Sequence, residues 1–131
     1  MANKIKKTTG APVHQILFAT QPNMAVGIQI TNTGVTAVDG KKIIKAGTPI
    51  TGSLEARGTA WTKAATTGDT GAKTSNAKAV LLHDVDVTEG AENATALIFG
   101  FVDLNKLEAD VVTLIDAEAK TALKGMVTFL K

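Results

Sequence analysis

The most apolar part of the chain is a pair of segments separated by a short polar turn. Residues 79–87 begin with Ala-Val-Leu-Leu and continue as an alternating polar and apolar run, and residues 94–102 are the most apolar run in the protein. β-Branched and aromatic residues on both sides of a turn that contains Gly90 favour a β-hairpin over a helix. We therefore expect residues 79–107 to form a central hairpin, and the other segments to cover it or to extend its sheet.

Shorter alternating segments before this hairpin predict further strands. In residues 24–30 the apolar side chains occupy alternate positions, so they share one face of a strand. Asp39-Gly40 is a dipeptide typical of a two-residue hairpin turn. Pro49 donates no backbone hydrogen bond, so the strand that contains it is expected to lie at a sheet edge or to begin there.

Two later regions depart from the strand pattern. Residues 64–76 consist almost entirely of Thr, Gly, Ala, Ser, Asp, Asn and Lys, which predicts an exposed loop. Residues 110–124 place apolar side chains at helical spacing, and Gly125 fits the position just past a helix end. Residues 126–131 then predict a final strand.

These patterns predict a mainly β protein with one compact domain, built as a β-sandwich, a barrel-like or a β-tulip-like fold with one short helix near the C-terminus. Residues 1–22 are expected to be an extended N-terminal arm, because Gly10, Pro12 and Pro22 interrupt this segment. Residues 23–131 are expected to form the β-rich domain.

The predicted arm combines a basic start with a short apolar island. One interpretation is an ordinary first strand or a loop that covers the core. The other is an arm that reaches onto a neighbouring subunit or a partner. For this second interpretation the candidate binding residues are Lys4, Lys6, Lys7, Val13, Ile16, Leu17 and Phe18.

The composition points to a core of small side chains. Of 131 residues, 44% are hydrophobic but only 4% are aromatic, with one Trp and no Tyr. Part of the stability is therefore expected to come from association with identical subunits. Trp61 is either a core or sheet-edge aromatic or an interface anchor, since Trp is enriched at interface hot spots. Phe99 and Phe101 of the apolar run are the other candidates for a subunit interface.

The charge balance and the absence of cysteine limit the possible partners. Fourteen basic and twelve acidic residues give a net charge of +2, which is too balanced to predict a nucleic-acid partner. The chain has no cysteine, so disulfides and thiolate metal sites are excluded. No segment approaches the roughly 20 apolar residues of a membrane span. We expect a soluble protein that is made in the cytoplasm, with no membrane partner.

One group of ionisable residues could carry chemistry. His83, Asp84 and Asp86 could hold a cation or provide a base, but alternation along a strand would divide them between two faces. Carboxylates that cap a turn are the more ordinary interpretation. Glu89 and Glu92 flank Gly90, where carboxylates are usually only solvated. We therefore predict no catalytic site, no metal and no cofactor.

Three segments resemble a family of phage head proteins. They are KAGTPI at residues 45–50, AVLLHDVDVT at residues 79–88 and FGFVDLNKL at residues 99–107. The helical segment of residues 115–120 and the closing residues 127–130 also fit. On these segments, residues 24–131 are similar to the head fibre and capsid decoration proteins of tailed phages that infect Gram-positive bacteria.

The resemblance implies a virion protein that works without catalysis. Such a protein, made in the host cytoplasm, binds the exterior of an assembled capsid as a homotrimer and clamps neighbouring major capsid subunits together. Its N-terminal arm becomes ordered on the capsid, and several modest contacts made at once slow dissociation. The alternatives are a head fibre, or a carbohydrate-binding β module displayed on the virion for host attachment. The second of these would use Trp61 as a platform.

Overall fold

The computed structural model describes residues 16–56 and 59–131, and the mainly β fold predicted from the sequence is confirmed there. The sheets are open and do not close into a barrel. The strands are β1 (Leu17–Ile30), β2 (Ile43–Ile44), β3 (Pro49–Thr51), β4 (Thr62–Lys63), β5 (Thr66–Thr67), β6 (Thr74–Ser75), β7 (Ala79–Leu81), β8 (Val85–Asp86), β9 (Glu92–Asp103) and β10 (Val127–Leu130), and the helices are α1 (Ala109–Leu114) and α2 (Ala117–Ala122).

The largest sheet is built on β9. β1 runs antiparallel along one side of β9, from Leu17 opposite Val102 to Ile30 opposite Glu92. The other side of β9 is shared by two strands. β7 pairs with its first half in antiparallel fashion, and β10 pairs with its second half in parallel fashion. From β7 the sheet continues through β3 to β4.

The predicted central hairpin is confirmed in its pairing but not in its continuity. β7 and β9 are antiparallel neighbours, as expected. The chain leaves the sheet after Leu81, however, and Val85 pairs with Ile44 of β2 in a separate two-stranded sheet. The Asp84 carboxylate accepts a hydrogen bond from the Ala46 amide at 2.7 Å, which holds the chain in this excursion.

The turn and proline signals behave as the sequence predicts. Asp39 and Gly40 have φ values of 54° and 79°, the pair of positive angles that a type I′ turn requires. Val38 and Lys41 exchange backbone hydrogen bonds of 2.8 and 3.0 Å across this turn. Pro49 is the first residue of β3, where its missing donor is tolerated, although β3 has neighbours on both sides.

Residues 64–76 are exposed or half-buried as predicted, but the prediction of a loop is wrong, because β5 and β6 form a small antiparallel hairpin there. Two side-chain hydrogen bonds hold this hairpin in place. Asn76 accepts from the Ala65 amide at 2.8 Å, and the Thr66 hydroxyl donates to Asp116 at 2.9 Å. Contacts to a distant part of the chain therefore order a segment whose composition predicts none.

The single predicted helix is two helices. Asp116 has extended backbone angles (φ −83°, ψ 179°), so no helix runs through it. Its carboxylate accepts from the Ala119 amide at 2.8 Å and caps the start of α2. The predicted apolar stripe survives the break, because Val111, Ile115 and Leu123 are all buried.

Two apolar cores lie on the two faces of the largest sheet. The helix-side core consists of Ile16, Leu17, Ala46, Ala77, Val80, Leu97, Val102, Leu107, Val111, Ile115, Leu123 and Val127. The Trp-side core consists of Ile28, Ile30, Ile44, Ile50, Trp61, Ala79, Leu81, Val85, Val87, Ala96 and Ile98. Residues from α1 and its flanks cover the first face, and the β2–β8 sheet covers part of the second.

The predicted arm boundary at residue 22 falls inside β1, because that strand begins at Leu17. Ile16 and Leu17 are 0% and 8% exposed in the helix-side core, and the Ile16 carbonyl accepts from the Asp103 amide at 2.9 Å. These two residues are therefore core residues and not partner-binding residues. For residues 16–22 the interpretation as an ordinary first strand is correct. The other predicted arm residues, Lys4, Lys6, Lys7 and Val13, lie outside the described residues.

Trp61 is a core residue, and the prediction that it anchors an interface is wrong. Its side chain is fully buried. Its backbone amide donates to the Gln29 carbonyl at 2.8 Å, so it closes the end of β1. The indole ring packs directly on Gly52, where an added Cβ would lie 2.2 Å from the ring.

Replacing Gly52 by alanine should therefore destabilise the fold. We expect Gly52→Ala to reduce the free energy of unfolding by about 1–3 kcal/mol, because the ring cannot move away without disturbing the core. Gly27→Ala is the matched control, since no atom lies within 4 Å of a Cβ there. The control should change the free energy by less than about 1 kcal/mol. Urea unfolding of both variants checks this, and equal losses would contradict it.

Candidate interaction surface

Five apolar side chains, from β1, from β9 and from the residue before β10, form an exposed patch on the sheet. We call this patch the aromatic face; it consists of Phe18, Met24, Phe99, Phe101 and Met126. Met24 lies opposite Phe99 in the pairing of β1 with β9. On the other side of β9, Val127 lies opposite Gly100, which puts Met126 beside Phe99. The Gly100 amide donates to the Met126 carbonyl at 3.1 Å.

An irregularity in β9 turns its aromatic residues toward solvent. Ala25 lies opposite Leu97 and the preceding Met24 lies opposite Phe99, so Ile98 is an extra residue with no counterpart on β1. Such a bulge shifts the alternation of side chains by one position. Leu97 belongs to the helix-side core, and without the shift Phe99 would point to the same side.

The residues beyond the bulge confirm the shifted alternation. Val102 is in the helix-side core although its position differs from that of Leu97 by an odd number. A Cβ at Gly100 would lie 3.3 Å from the Leu97 side chain, so Gly100 also faces the helices. Phe99 and Phe101 therefore share the opposite face, and their rings meet edge to face at 6.5 Å between centroids.

A second bulge brings Phe18 to the same face. Leu17 lies opposite Val102 and Ala19 lies opposite Phe101, so β1 contains one extra residue, Phe18, between these two pairs. Leu17 points into the helix-side core, and Phe18 points away from it. Phe18 thus extends the patch along β1 to the first residues that the structure describes.

The aromatic face is well exposed. Phe18 and Met24 are 56% and 55% exposed, Met126 is 43% exposed and Phe99 is 37% exposed, while Phe101 is half-buried. The chain has only four Phe and one Trp, and three of these five aromatic residues lie here. Large contiguous apolar patches on a protein surface commonly mark interaction sites.

The structure groups some of the predicted site residues and separates others. It places Phe99 and Phe101 together at the surface, and it adds Phe18 from the predicted arm. It removes Trp61 from the surface, together with Ile16 and Leu17. Met24 and Met126 are members of the patch that the sequence pattern does not indicate, because they join it through strand register.

A cleft of about 550 Å³ lies between the turn at residues 38–41 and α1. Exposed Val38, Ile43 and Leu114 lie along it. The Lys45 ammonium bridges the cleft and donates to Glu108 at 3.1 Å and to Asp110 at 3.0 Å.

These ion pairs change the pKa values of Lys45 and Asp110. Hydrogen bonds to Asp110 and Glu108 raise the pKa of Lys45, and the hydrogen bond from Lys45 lowers the pKa of Asp110. Lys45 thus contacts two carboxylates of the α1 segment at once. We interpret this arrangement as a clasp that ties the segment between β2 and β3 to the start of α1.

The carboxylates near His83 hold turns. Asp84 accepts from the Ala46 amide, and Asp86 accepts from the amide and the hydroxyl of Thr88. The hydrogen bonds from Thr88 lower the pKa of Asp86. The interpretation of both carboxylates as turn caps is confirmed, while the His83 side chain is exposed.

Within residues 16–56 and 59–131, no three His, Asp or Glu side chains gather where they could hold a metal ion. Glu89 and Glu92 are both exposed. Among the helices of the described residues, none combines the length and the apolar character that crossing a bilayer requires.

Comparison with known proteins adds no relative. The chain matches no known protein-family model, and no curated protein matches it significantly.

The clasp predicts a small dependence of stability on pH. The pKa of Asp110 is lower in the folded protein than in the unfolded chain, so its contribution is present above the unfolded value of about 3.9 and is lost as the pH falls through the folded value. Asp110→Asn should therefore lower the urea midpoint at pH 7, only slightly because the pair is exposed. The difference from the unmodified protein should be smaller at about pH 2.5, because part of the Asp110 contribution is lost once the pH falls below the unfolded pKa.

Asp69→Asn is the matched control, because Asp69 is an exposed carboxylate that forms no ion pair within the described residues. Its urea midpoint should follow that of the unmodified protein at both pH values. A deficit of Asp110→Asn that is equally large at pH 7 and pH 2.5 would contradict the clasp.

Proposed function

We propose that this protein is a capsid decoration protein. In this proposal it binds the outer surface of an assembled phage head as a homotrimer, and it stabilises the head by bridging neighbouring major capsid subunits. The observation that carries the proposal is the aromatic face. A chain poor in aromatic residues leaves most of them at its surface, which is costly in water and favourable once another protein covers them.

The position of the aromatic face also fits this role. Phe18 follows directly on Leu17, where β1 begins, so the face adjoins the point at which residues 1–15 lead into the sheet. In our proposal those residues are the part of the predicted arm that contacts the coat, with Lys4, Lys6, Lys7 and Val13 as its binding residues. Several contacts of this kind on one particle would make dissociation slow although each is modest.

We further propose that the protein is not an enzyme and acts without a cofactor. Asp84 and Asp86, the carboxylates nearest to His83, are engaged as turn caps. At the cleft, Lys45 and Asp110 are engaged in an ion pair with each other. These arrangements support a structural role.

The two alternative functions require different features at the protein surface. A carbohydrate-binding module would need exposed aromatic platforms, and burial of Trp61 removes the platform on which that alternative relied. A head fibre that attaches to the host is a second alternative, and it predicts binding to host cells. The aromatic face favours decoration, because a patch of Phe and Met side chains suits protein–protein contact better than sugar recognition.

Removal of the arm should weaken binding to capsids without unfolding the domain. The deletion should cover residues 2–14, because Ile16 and Leu17 belong to the core. Undecorated capsids assembled from the major capsid protein of the same phage are mixed with each chain and sedimented. We expect the full chain to sediment with the capsids and the deletion to bind at least about tenfold more weakly.

Lysine variants test whether the lysines of the arm, and not positive charge in general, contribute to capsid binding. Replacing Lys4, Lys6 and Lys7 by alanine should weaken capsid binding. Replacing the exposed Lys73, Lys78 and Lys124 should leave it unchanged. A full chain that does not bind capsids would overturn the proposed function. Undiminished binding by the deletion would overturn only the role of the arm.

A further inference from the structure

We propose that the aromatic face is the surface through which copies of this chain contact one another. This inference deepens the proposed function and rests on it for the biological setting, since it names the partner that covers this face. The partner is a second copy of the same chain. Three observations support a copy over a coat subunit: the area of the face, the charges around it and its place in the layers of the fold.

The area of the face matches what a specific protein interface needs. At roughly 200 Å² per large apolar side chain, the exposed fractions of Phe18, Met24, Phe99 and Met126 amount to about 400 Å² of apolar surface. A standard interface buries about 800 Å² on each partner, of which about 60% is apolar. The aromatic face therefore supplies most of the apolar surface that one side of such an interface requires.

The charges around the aromatic face suit contact between identical surfaces. The face itself contains no charged residue. At its edge, where β9 ends, Asp103 lies opposite Leu130 of β10, and Lys106 and Lys131 are the nearby lysines in the chain, so this edge carries charges of both signs. An edge with a single sign of charge would repel its own copy, whereas mixed signs can pair across a symmetric contact.

The β2–β8 sheet covers only one half of the face of β9 that carries the aromatic residues, so another sheet can pack on the other half. Ala96 and Ile98 lie on the same face of β9 as the aromatic residues, and the β2–β8 sheet covers that half. The other half, with Phe99 and Phe101, has no such cover among the described residues. Neighbouring copies pack their aromatic faces against one another there, around a shared symmetry axis. The copy thereby continues the layer that β2 and β8 begin.

The test measures the mass of the full chain in solution. We expect the unmodified protein to have a mass of two or three times 13.5 kDa at about 100 μM. Replacing Phe18 and Met24 by lysine should weaken self-association at least about a hundredfold, because the change buries charge in the interface. The matched control replaces Val38 and Leu114, which are exposed apolar residues outside the face. That control should keep the mass of the unmodified protein.

A cross-linking measurement holds even if the lysine variant fails to fold. The chain has no cysteine, so a single introduced cysteine reports one position. Met24→Cys should give covalent dimers with a short bifunctional maleimide, and Lys73→Cys on the β5–β6 hairpin should not. A monomeric unmodified protein, or equal cross-linking of the two variants, would overturn the inference.

The outcome separates this inference from the proposed function. A monomer that binds capsids would overturn self-association through the aromatic face, identify a coat subunit as its occupant and leave the decoration role standing. An oligomer that dissociates on the Phe18 and Met24 replacements but binds no capsid would support the inference and overturn the decoration role. A dimer would support the face and contradict the homotrimer.

Discussion

The extra residue at Ile98 in β9 decides which side chains this protein buries and which it presents. Before it, Leu97 points toward the helices; after it, Phe99 and Phe101 point away from them. β9 pairs with β1 from Glu92 to Val102, and β7 and β10 pair with its other side. A change of register in β9 therefore changes which of its side chains face each side of the largest sheet. The helix-side core is accordingly built from aliphatic residues, with Gly100 leaving space for the Leu97 side chain. A bulge next to a candidate interaction surface is a common way to redirect side chains.

The split of apolar residues into two cores and an exposed patch follows from this register. Each core is made mainly of aliphatic side chains. Among the described residues, Trp61 is the aromatic residue that is fully buried, and Phe129 packs partly buried against the helix-side core. The three Phe residues at the surface could have filled the interior of a protein that functions alone. Their position couples stability to association, because a partner that binds only the folded state lowers its free energy. The cores contain few aromatic residues because three of the five in the chain lie in the aromatic face.

Local sequence signals predicted much of the fold. The β7–β9 pairing, the Asp39-Gly40 turn and the start of β3 at Pro49 each depend on neighbouring residues, and each was correct. The break between α1 and α2 was also encoded locally, since Asp116 caps the second helix, but a continuous apolar stripe concealed it. The β5–β6 hairpin depends on a contact with Asp116 some fifty residues away, and composition cannot reveal such a contact. The patch was predicted only in part, since strict alternation places Leu97, Phe99 and Phe101 on one face.

β1 joins the predicted arm to the aromatic face, and the proposed role requires both. Within two consecutive residues it places Leu17 in the helix-side core and Phe18 on the aromatic face, and residues 1–15 lead directly into it. A partner that holds those residues would therefore act on a strand that pairs irregularly with β9 from Leu17 to Met24 and residue by residue from Ala25 to Ile30. Load on such a strand is distributed over many hydrogen bonds of the central pair. A copy packed on Phe18 and Phe99 would cover the same two strands, so contact between copies and contact through the arm would reinforce one structural element.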